Sequence, residues 1–192
     1  MKSKVLVILF QLFCIVNVFS QIPNGAKKTI HIRVVEEYRY GISKFQAVLL
    51  PDSSRISSLL MTNGSMLELA YGHFTLGATV LSDYHKYGGS RKFDLDLGYE
   101  FYISNNQTIH PFVGCEFNEN GAGLTAGTKL NKNFDFFENM SLGLFLGFRY
   151  SQSRDIISFN SNEFFNSDYF SASFGMFLMI YDYKRPKIIR DW

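Results

Sequence analysis

From Asp168 to Tyr183 the chain alternates between two kinds of residue. Phe170, Ala172, Phe174, Met176, Leu178 and Ile180 share one face of an extended strand, and Ser171, Ser173 and Gly175 share the other. The run is longer than the ~5–6 residues of an ordinary strand and suits the ~9–11 that cross a bilayer at a tilt. Bulky apolar groups on one side and serine and glycine on the other predict a membrane-crossing strand whose second face lines a cramped interior.

No apolar run downstream of residue 20 reaches the ~20 residues of a transmembrane helix, so a membrane-spanning fold of this sequence has to be all-β. Period-two segments predict strands over 29–40, 43–50, 66–83, 91–104, 108–117, 121–131, 140–152 and 168–183. That count of eight is even, which returns both ends of the chain to one side of the membrane. Residues 51–64 read as a linker, with one helical turn from Ile56, Leu59 and Leu60 behind Ser53. Leu67, Leu69 and Tyr71 share one parity and Phe74, Leu76, Ala78 and Val80 the other. A β-bulge at Gly72 accounts for the switch within one strand, and a tight turn is the competing explanation. Asn105-Asn106 reads as a short periplasmic turn, and 85–90 and 153–167 as outer loops.

The amino end has the three-part layout of a secretory signal peptide. Lys2 and Lys4 precede the apolar run from Val5 to Phe13, and Asn17 to Ser20 lead to Gln21 as the first mature residue. Lipoprotein processing at Cys14 is disfavoured by the bulky Phe13 before it. Cleavage after Ser20 divides the chain into a signal peptide, 1–20, and a single barrel domain, 21–192, with strands over about 29–183 and a basic tail at 184–192. It also removes two of 19 basic residues and leaves 17 against 17 acids, a neutral balance that argues against nucleic acid as a partner. Cys115 is then the remaining cysteine, so neither an intramolecular disulfide nor a cysteine zinc site can form. Nothing in the sequence points to a metal or cofactor.

Parity sorts the charges. Arg33, Glu37, Arg39, Lys92, Asp94, Asp96, Glu100, Glu116, Lys129 and Arg149 share the polar face with Gly98, Gly114, Gly123, Gly127, Gly143 and Gly147. The other face carries Ile30, Ile32, Val34, Phe93, Leu95, Leu97, Tyr99, Phe101, Val113, Phe117, Leu124, Leu142, Leu144, Leu146 and Phe148. In a soluble lipocalin-like carrier the apolar face points inward and long solvated side chains cover the outside. Frequent glycine among the charges fits a narrow lumen better. Five acids and five bases can pair there into a plug, which does not resemble the single-sign lining of a selective pore. Glu36 has outward parity, and a strand ending at residue 40 places it near the outer interface. Tyr38, Tyr40, Tyr99, Phe101, Tyr150, Tyr169, Phe170, Tyr181 and Tyr183 read as interfacial girdle residues near strand ends.

The segment Leu97-Gly98-Tyr99-Glu100-Phe101-Tyr102, then Asn105-Asn106, Pro111-Phe112-Val113-Gly114, the glycine-rich 122–129 and 142–150 resemble the small Gram-negative outer-membrane β-barrel domains of the OmpA/OmpX-like kind. The resemblance spans roughly 29–183. It implies an eight-stranded antiparallel up-and-down transmembrane β-barrel in the bacterial outer membrane, with outer-membrane lipid and the barrel assembly machinery as partners. Ser173, Gly175, Leu178 and Ile180 are similar to the assembly signal of such chains, although a tail to Trp192 follows where the family ends on an aromatic residue. Some small barrels modify lipid A, a chemistry that needs a histidine near a serine or an acid. Of His31, His73, His85 and His110, only His85 with Asp83 fits, and the His-x-Ser-Asn arrangement of lipid-A deacylases is absent.

The sequence therefore predicts a non-catalytic, membrane-anchored scaffold that displays outer loops, with a lipid-modifying enzyme and a secreted carrier as alternatives. Residues 153–167 are the candidate recognition loop for an unknown surface ligand, since Phe159, Phe164 and Phe165 stand among polar residues there. The competing reading is a self-packed hairpin continuing above the membrane.

Overall fold

The computed structural model describes residues 30–47, 55–85, 88–104, 106–118, 121–137, 139–152, 156–159 and 162–181. The signal peptide, Tyr183 and the basic tail lie outside the described residues. The strands are β1 (Ile30–Ala47), β2 (Arg55–Tyr71), β3 (Phe74–His85), β4 (Gly88–Tyr99), β5 (Phe101–Ser104), β6 (Gln107–Asn118), β7 (Gly121–Phe137), β8 (Met140–Gln152), β9 (Ile156–Phe159) and β10 (Asn162–Tyr181).

Sequential antiparallel pairing carries the sheet from β1 to β10, and β10 pairs back onto β1, so the wall closes on itself. β5 continues β4 past Glu100 and pairs with the same neighbour, β6, while β9 pairs with β10 alone. Eight staves remain, all antiparallel, in an up-and-down closed barrel. Ile30 and Tyr181 lie at one rim, here the terminal rim.

The cross-strand register fixes the tilt. One row runs from Glu36 through Met176, Leu144 and Lys132 to Gln107, and in the other direction through Ser65, Val80 and Phe93 to Phe117. The row returns to β6 displaced from Gln107 to Phe117, a stagger of ten residues. With ~3.3 Å per residue and ~4.8 Å between strands, that stagger tilts eight strands by about 40°.

The number of staves agrees with the alternation pattern, but three boundaries do not. The segments predicted over 29–40 and 43–50 join, within the described residues, in one strand, β1 (Ile30–Ala47), because Gly41 pairs with Leu60 and Ser171 in the ladder instead of turning the chain. A side chain on Gly41 would run into the backbone of Phe170 and Ser171, so this glycine permits close strand approach. The segment 51–64 is no helical linker: from Arg55 onward it is β2, with Ile56, Leu59 and Leu60 opposite Phe45, Ile42 and Gly41. Gly72, at φ 63°, sits in a tight turn between β2 and β3, not in a bulge. Merging one pair of segments and splitting another leaves the even count unchanged.

Several connectors also shorten. β3 runs to His85 and β4 starts at Gly88, and β7 continues to Phe137. Most of 153–167 is ladder: Phe164 and Phe165 pair with Ile157 and Ile156 on one side and with Ala47 and Gln46 on the other, and Phe159 pairs with Asn162. The barrel wall thus extends beyond the far rim as a β9–β10 hairpin, in line with the hairpin alternative for the predicted outer loop.

Candidate functional site

The wall alternates as the side chains do, with every second residue turned into the lumen. On β1, His31, Arg33, Val35, Glu37 and Arg39 are buried, and Ile30, Ile32, Val34, Tyr38, Tyr40 and Ile42 are exposed on the outer face. On β8, Arg149 is 1% exposed and Leu146 66%.

Arg33, Glu37, Arg39, Lys92, Asp94, Asp96, Glu100, Glu116, Lys129 and Arg149 are all inside and form linked groups. Nearest the terminal rim, Arg33 donates to Glu68 at 2.5 Å and to Glu100, and His31 lies 3.5 Å from Glu100. In the middle, Arg39 pairs with Glu37 at 3.0 Å and with Asp94 at 3.1 Å, Lys129 reaches Glu37 at 3.3 Å, and Arg149 bonds Asp94 and Asp96. Toward the far rim, Lys92 bridges Asp83 at 2.6 Å and Glu116 at 3.0 Å, and the Tyr169 hydroxyl donates to Glu116. Along β4 the partners run in the opposite direction, from Lys92 through Asp94 and Asp96 to Glu100 just past the strand. Arg33–Glu100, Arg39–Asp94, Lys129–Glu37 and the two Arg149 pairs join strands that are not neighbours in the sheet, so they brace the lumen across its width.

Rings fill the spaces between charges. Arg33 lies over Phe177 at 5.3 Å, Lys129 over Phe145 at 4.9 Å, Arg149 over Phe112 at 4.6 Å and Lys92 over Tyr169 at 4.9 Å. Val35, Met66, Phe145, Phe177 and Met179 make a buried apolar cluster. The inward glycines make room for the lumen rings: a Cβ on Gly143 would overlap the Phe177 ring, one on Gly127 the Phe112 ring, and one on Gly175 the Phe145 ring. Gly143→Val is expected to cost about 1–3 kcal/mol by overpacking. Much of this should return in Gly143→Val with Phe177→Ala, read as the midpoint of urea unfolding in lipid vesicles.

The interior holds more polar groups than the ten charges. Glu68 is inward, and the outward Leu67 and Leu69 on either side of it carried that signal. Asp83, which the sequence puts next to an outer loop, is buried in β3, accepting from Thr62 at 2.7 Å and paired with Lys92. His110 contacts Thr75 at 2.7 Å and lies 3.8 Å from Glu68, deep in the lumen. The inward aromatic residues were legible as large side chains of lumen parity flanked by lumen glycines, as in Gly143-x-Phe145-x-Gly147.

Two outer-face assignments change. Tyr169 is a lumen residue, 2% exposed, not part of a girdle. Tyr99 has outward parity but is covered by His73, Phe74 and Phe101, at ring distances of 5.3, 5.2 and 4.7 Å. Elsewhere on the outer face Tyr38 and Tyr40 stack on Phe174, and Phe148 stacks on Phe170. Ser173 is buried in the lumen, Gly175 faces it, and Leu178 and Ile180 lie on the outer face, all on the strand that closes the barrel. Among the described residues no cluster of His, Cys, Asp and Glu is arranged to hold a metal ion.

No protein-family model matches the chain, and no curated protein matches it. Among solved structures it is similar to a de novo designed transmembrane β-barrel, at 14% identity and TM-score 0.43 over 81% of this chain and 98% of the other. It is similar to Neisserial surface protein A at 9% identity and TM-score 0.42, over 79% and 96% of the two chains. The outer-membrane protease OmpT of Escherichia coli gives 8% identity and TM-score 0.43, over 82% and 99%.

Proposed function

We propose that this chain is an outer-membrane barrel of the OmpA/OmpX-like kind, exported by a leader ending at Ser20. It serves as a non-catalytic, membrane-anchored scaffold whose lumen is plugged by paired charges. The observation that carries this reading is the inverted polarity of the wall. Arg33, Arg39, Asp94 and Arg149 are buried inside, while Ile32, Leu67, Leu76, Leu97, Val113, Leu130, Leu146 and Met176 are exposed around the whole circumference. Soluble monomers rarely expose contiguous apolar patches beyond a few hundred Å². A belt that encircles the barrel suits hydrocarbon as its solvent.

The non-catalytic part of the reading is supported by where the histidines and acids lie. His31 and His110 are inside the lumen beside Glu100 and Glu68, away from acyl chains on the outer face, and Asp83 is engaged by Thr62 and Lys92. Ser173, Gly175, Leu178 and Ile180 support recognition of the closing strand by the assembly machinery. The β9–β10 hairpin, which contains Phe159, Phe164 and Phe165, is the element such a scaffold would display.

Cross-lumen pairing of both signs supports a closed lumen. Purified protein in planar bilayers is therefore expected to show no stable conductance, and its folded and boiled forms should migrate differently in detergent gels. Large, steady, ion-selective currents would refute the plug. Loss of the heat-dependent shift in protein recovered from outer membranes would count against the barrel as a membrane anchor.

A further inference from the structure

We infer that the outer face of β1 and β2 around Glu36, Ser65 and Asn63 is a lateral docking site for a second copy of this chain. The inference rests on the membrane reading. Because β1 continues to Ala47, Glu36 is not near the interface, as the shorter strand had implied. It lies six residues beyond Ile30 and six before Ile42, with Ile32 and Val34 on one side and Tyr38 and Tyr40 on the other. Its carboxylate is exposed at mid-height on a face that is otherwise apolar. Ser65, directly opposite on β2, donates a hydrogen bond to it at 2.8 Å, and its other cross-strand neighbour is Met176. Asn63, also exposed, is the next outward residue on β2.

A carboxylate facing lipid at mid-depth is unfavourable, and groups of this kind in membranes face protein or water and meet a partner. No cation is at hand on this face. The outward positions of β1 from 30 to 42, of β2 from 59 to 71 and of β10 from 168 to 180 contain neither lysine nor arginine. Lipid headgroups do not solve the problem, since the middle of a hydrocarbon layer ~30 Å thick is ~15 Å from either surface. The partner has to be another membrane-embedded protein with hydrogen-bonding groups at the same depth.

A second copy meets that requirement. Two barrels inserted with the same orientation are related by a two-fold axis parallel to the membrane normal, which brings residues of equal depth together. Glu36 of one copy then faces the Glu36–Ser65 ledge of the other. Each Ser65 keeps its single hydroxyl proton on its own Glu36, Asn63 supplies an amide donor across the contact, and the paired carboxyls can hold one proton between them, as closely spaced carboxyl pairs do. Ser65 and Asn63 are shorter than the flanking Met61 and Leu67, so the polar ledge lies in a shallow notch with apolar shoulders. The face thus presents matching donors, acceptors and apolar contacts to its own copy.

The test uses the purified full chain with Cys115→Ser, reconstituted in phosphatidylcholine vesicles over a range of protein-to-lipid ratios. One variant adds Val34→Cys beside the ledge, and a control adds Val113→Cys on β6, across the barrel; a short bis-maleimide reports proximity. Cross-linking through Val34→Cys is expected to persist on dilution with lipid while the control decays. Adding Glu36→Leu should bring it down to the control level, with heat-modifiability retained. If that variant does not fold, Asn63→Leu with Ser65→Ala has the same expectation. Cross-linking no greater than the control, or unaffected by these substitutions, overturns the second copy and leaves the ledge to a different membrane protein. A spin label at Leu146 separates the two readings: lipid contact there confines the failure to the dimer, and water contact removes the membrane reading with it.

Discussion

Arginine in place of Leu146 is expected to lower the stability of the folded barrel by about 2–4 kcal/mol in a bilayer. Leu146 is 66% exposed on the outer face of β8, between Leu130 on β7 and Phe174 on β10. A water-soluble barrel would accept a charge at so exposed a position with a change within about 0.5 kcal/mol. A lipid-facing position near the middle of the belt cannot hydrate it. The cost should depend on depth: arginine at Phe136, close to the turn that joins β7 and β8 at the terminal rim, is expected to cost only about 0–1 kcal/mol. Reversible urea unfolding in lipid vesicles measures both. Equal and small costs at the two positions would mean that the apolar belt does not face hydrocarbon.

The properties that make this prediction possible were legible in the chain because they are periodic. Alternation at 142–150 and 168–180 assigns each residue to a face with no tertiary knowledge, since successive strand side chains point to opposite sides. What alternation does not encode is where one strand stops and the next starts. Gly41 and Gly72 are both single glycines within apolar runs, yet one passes tightly against β10 in the ladder and the other turns the chain with positive φ. The difference lies in partners up to 130 residues away, which no local pattern contains. Glu36 was misplaced for the same reason: its face was assigned correctly, and its depth depended on the length of β1. Asp83 was misread because β3 extends past it to His85. The pairing of Arg149 with Asp94 and Asp96 depends on β4 and β8 facing each other across the closed lumen, a consequence of stagger and closure that parity alone cannot supply.

Arg149 gives the second large effect. Its guanidinium is buried against Asp94 and Asp96 and lies over the Phe112 ring at 4.6 Å, while Arg39 is the other cation paired with Asp94, at 3.1 Å. Arg149→Met preserves most of the side-chain volume and removes the charge. Asp96 then loses its cation and Asp94 keeps one of two, so buried carboxylate is left uncompensated at an expected cost of about 3–5 kcal/mol. If the lumen were instead wet enough to hydrate each group separately, the same change would cost about 1 kcal/mol or less, as for exposed ion pairs. Adding Asp94→Asn and Asp96→Asn distinguishes the two cases. With a dry, paired lumen the triple variant should recover most of the lost stability, because asparagine at 94 and 96 leaves neither position with an uncompensated carboxylate while Arg39 keeps Glu37. In a hydrated lumen there is little loss to recover. Urea unfolding of the single and triple variants reads the difference. In planar bilayers the single variant, with excess negative charge in its middle layer, is expected to admit cations in brief openings that the triple variant lacks. A silent single variant with unchanged stability would show that the cross-lumen pairs neither brace nor seal the barrel.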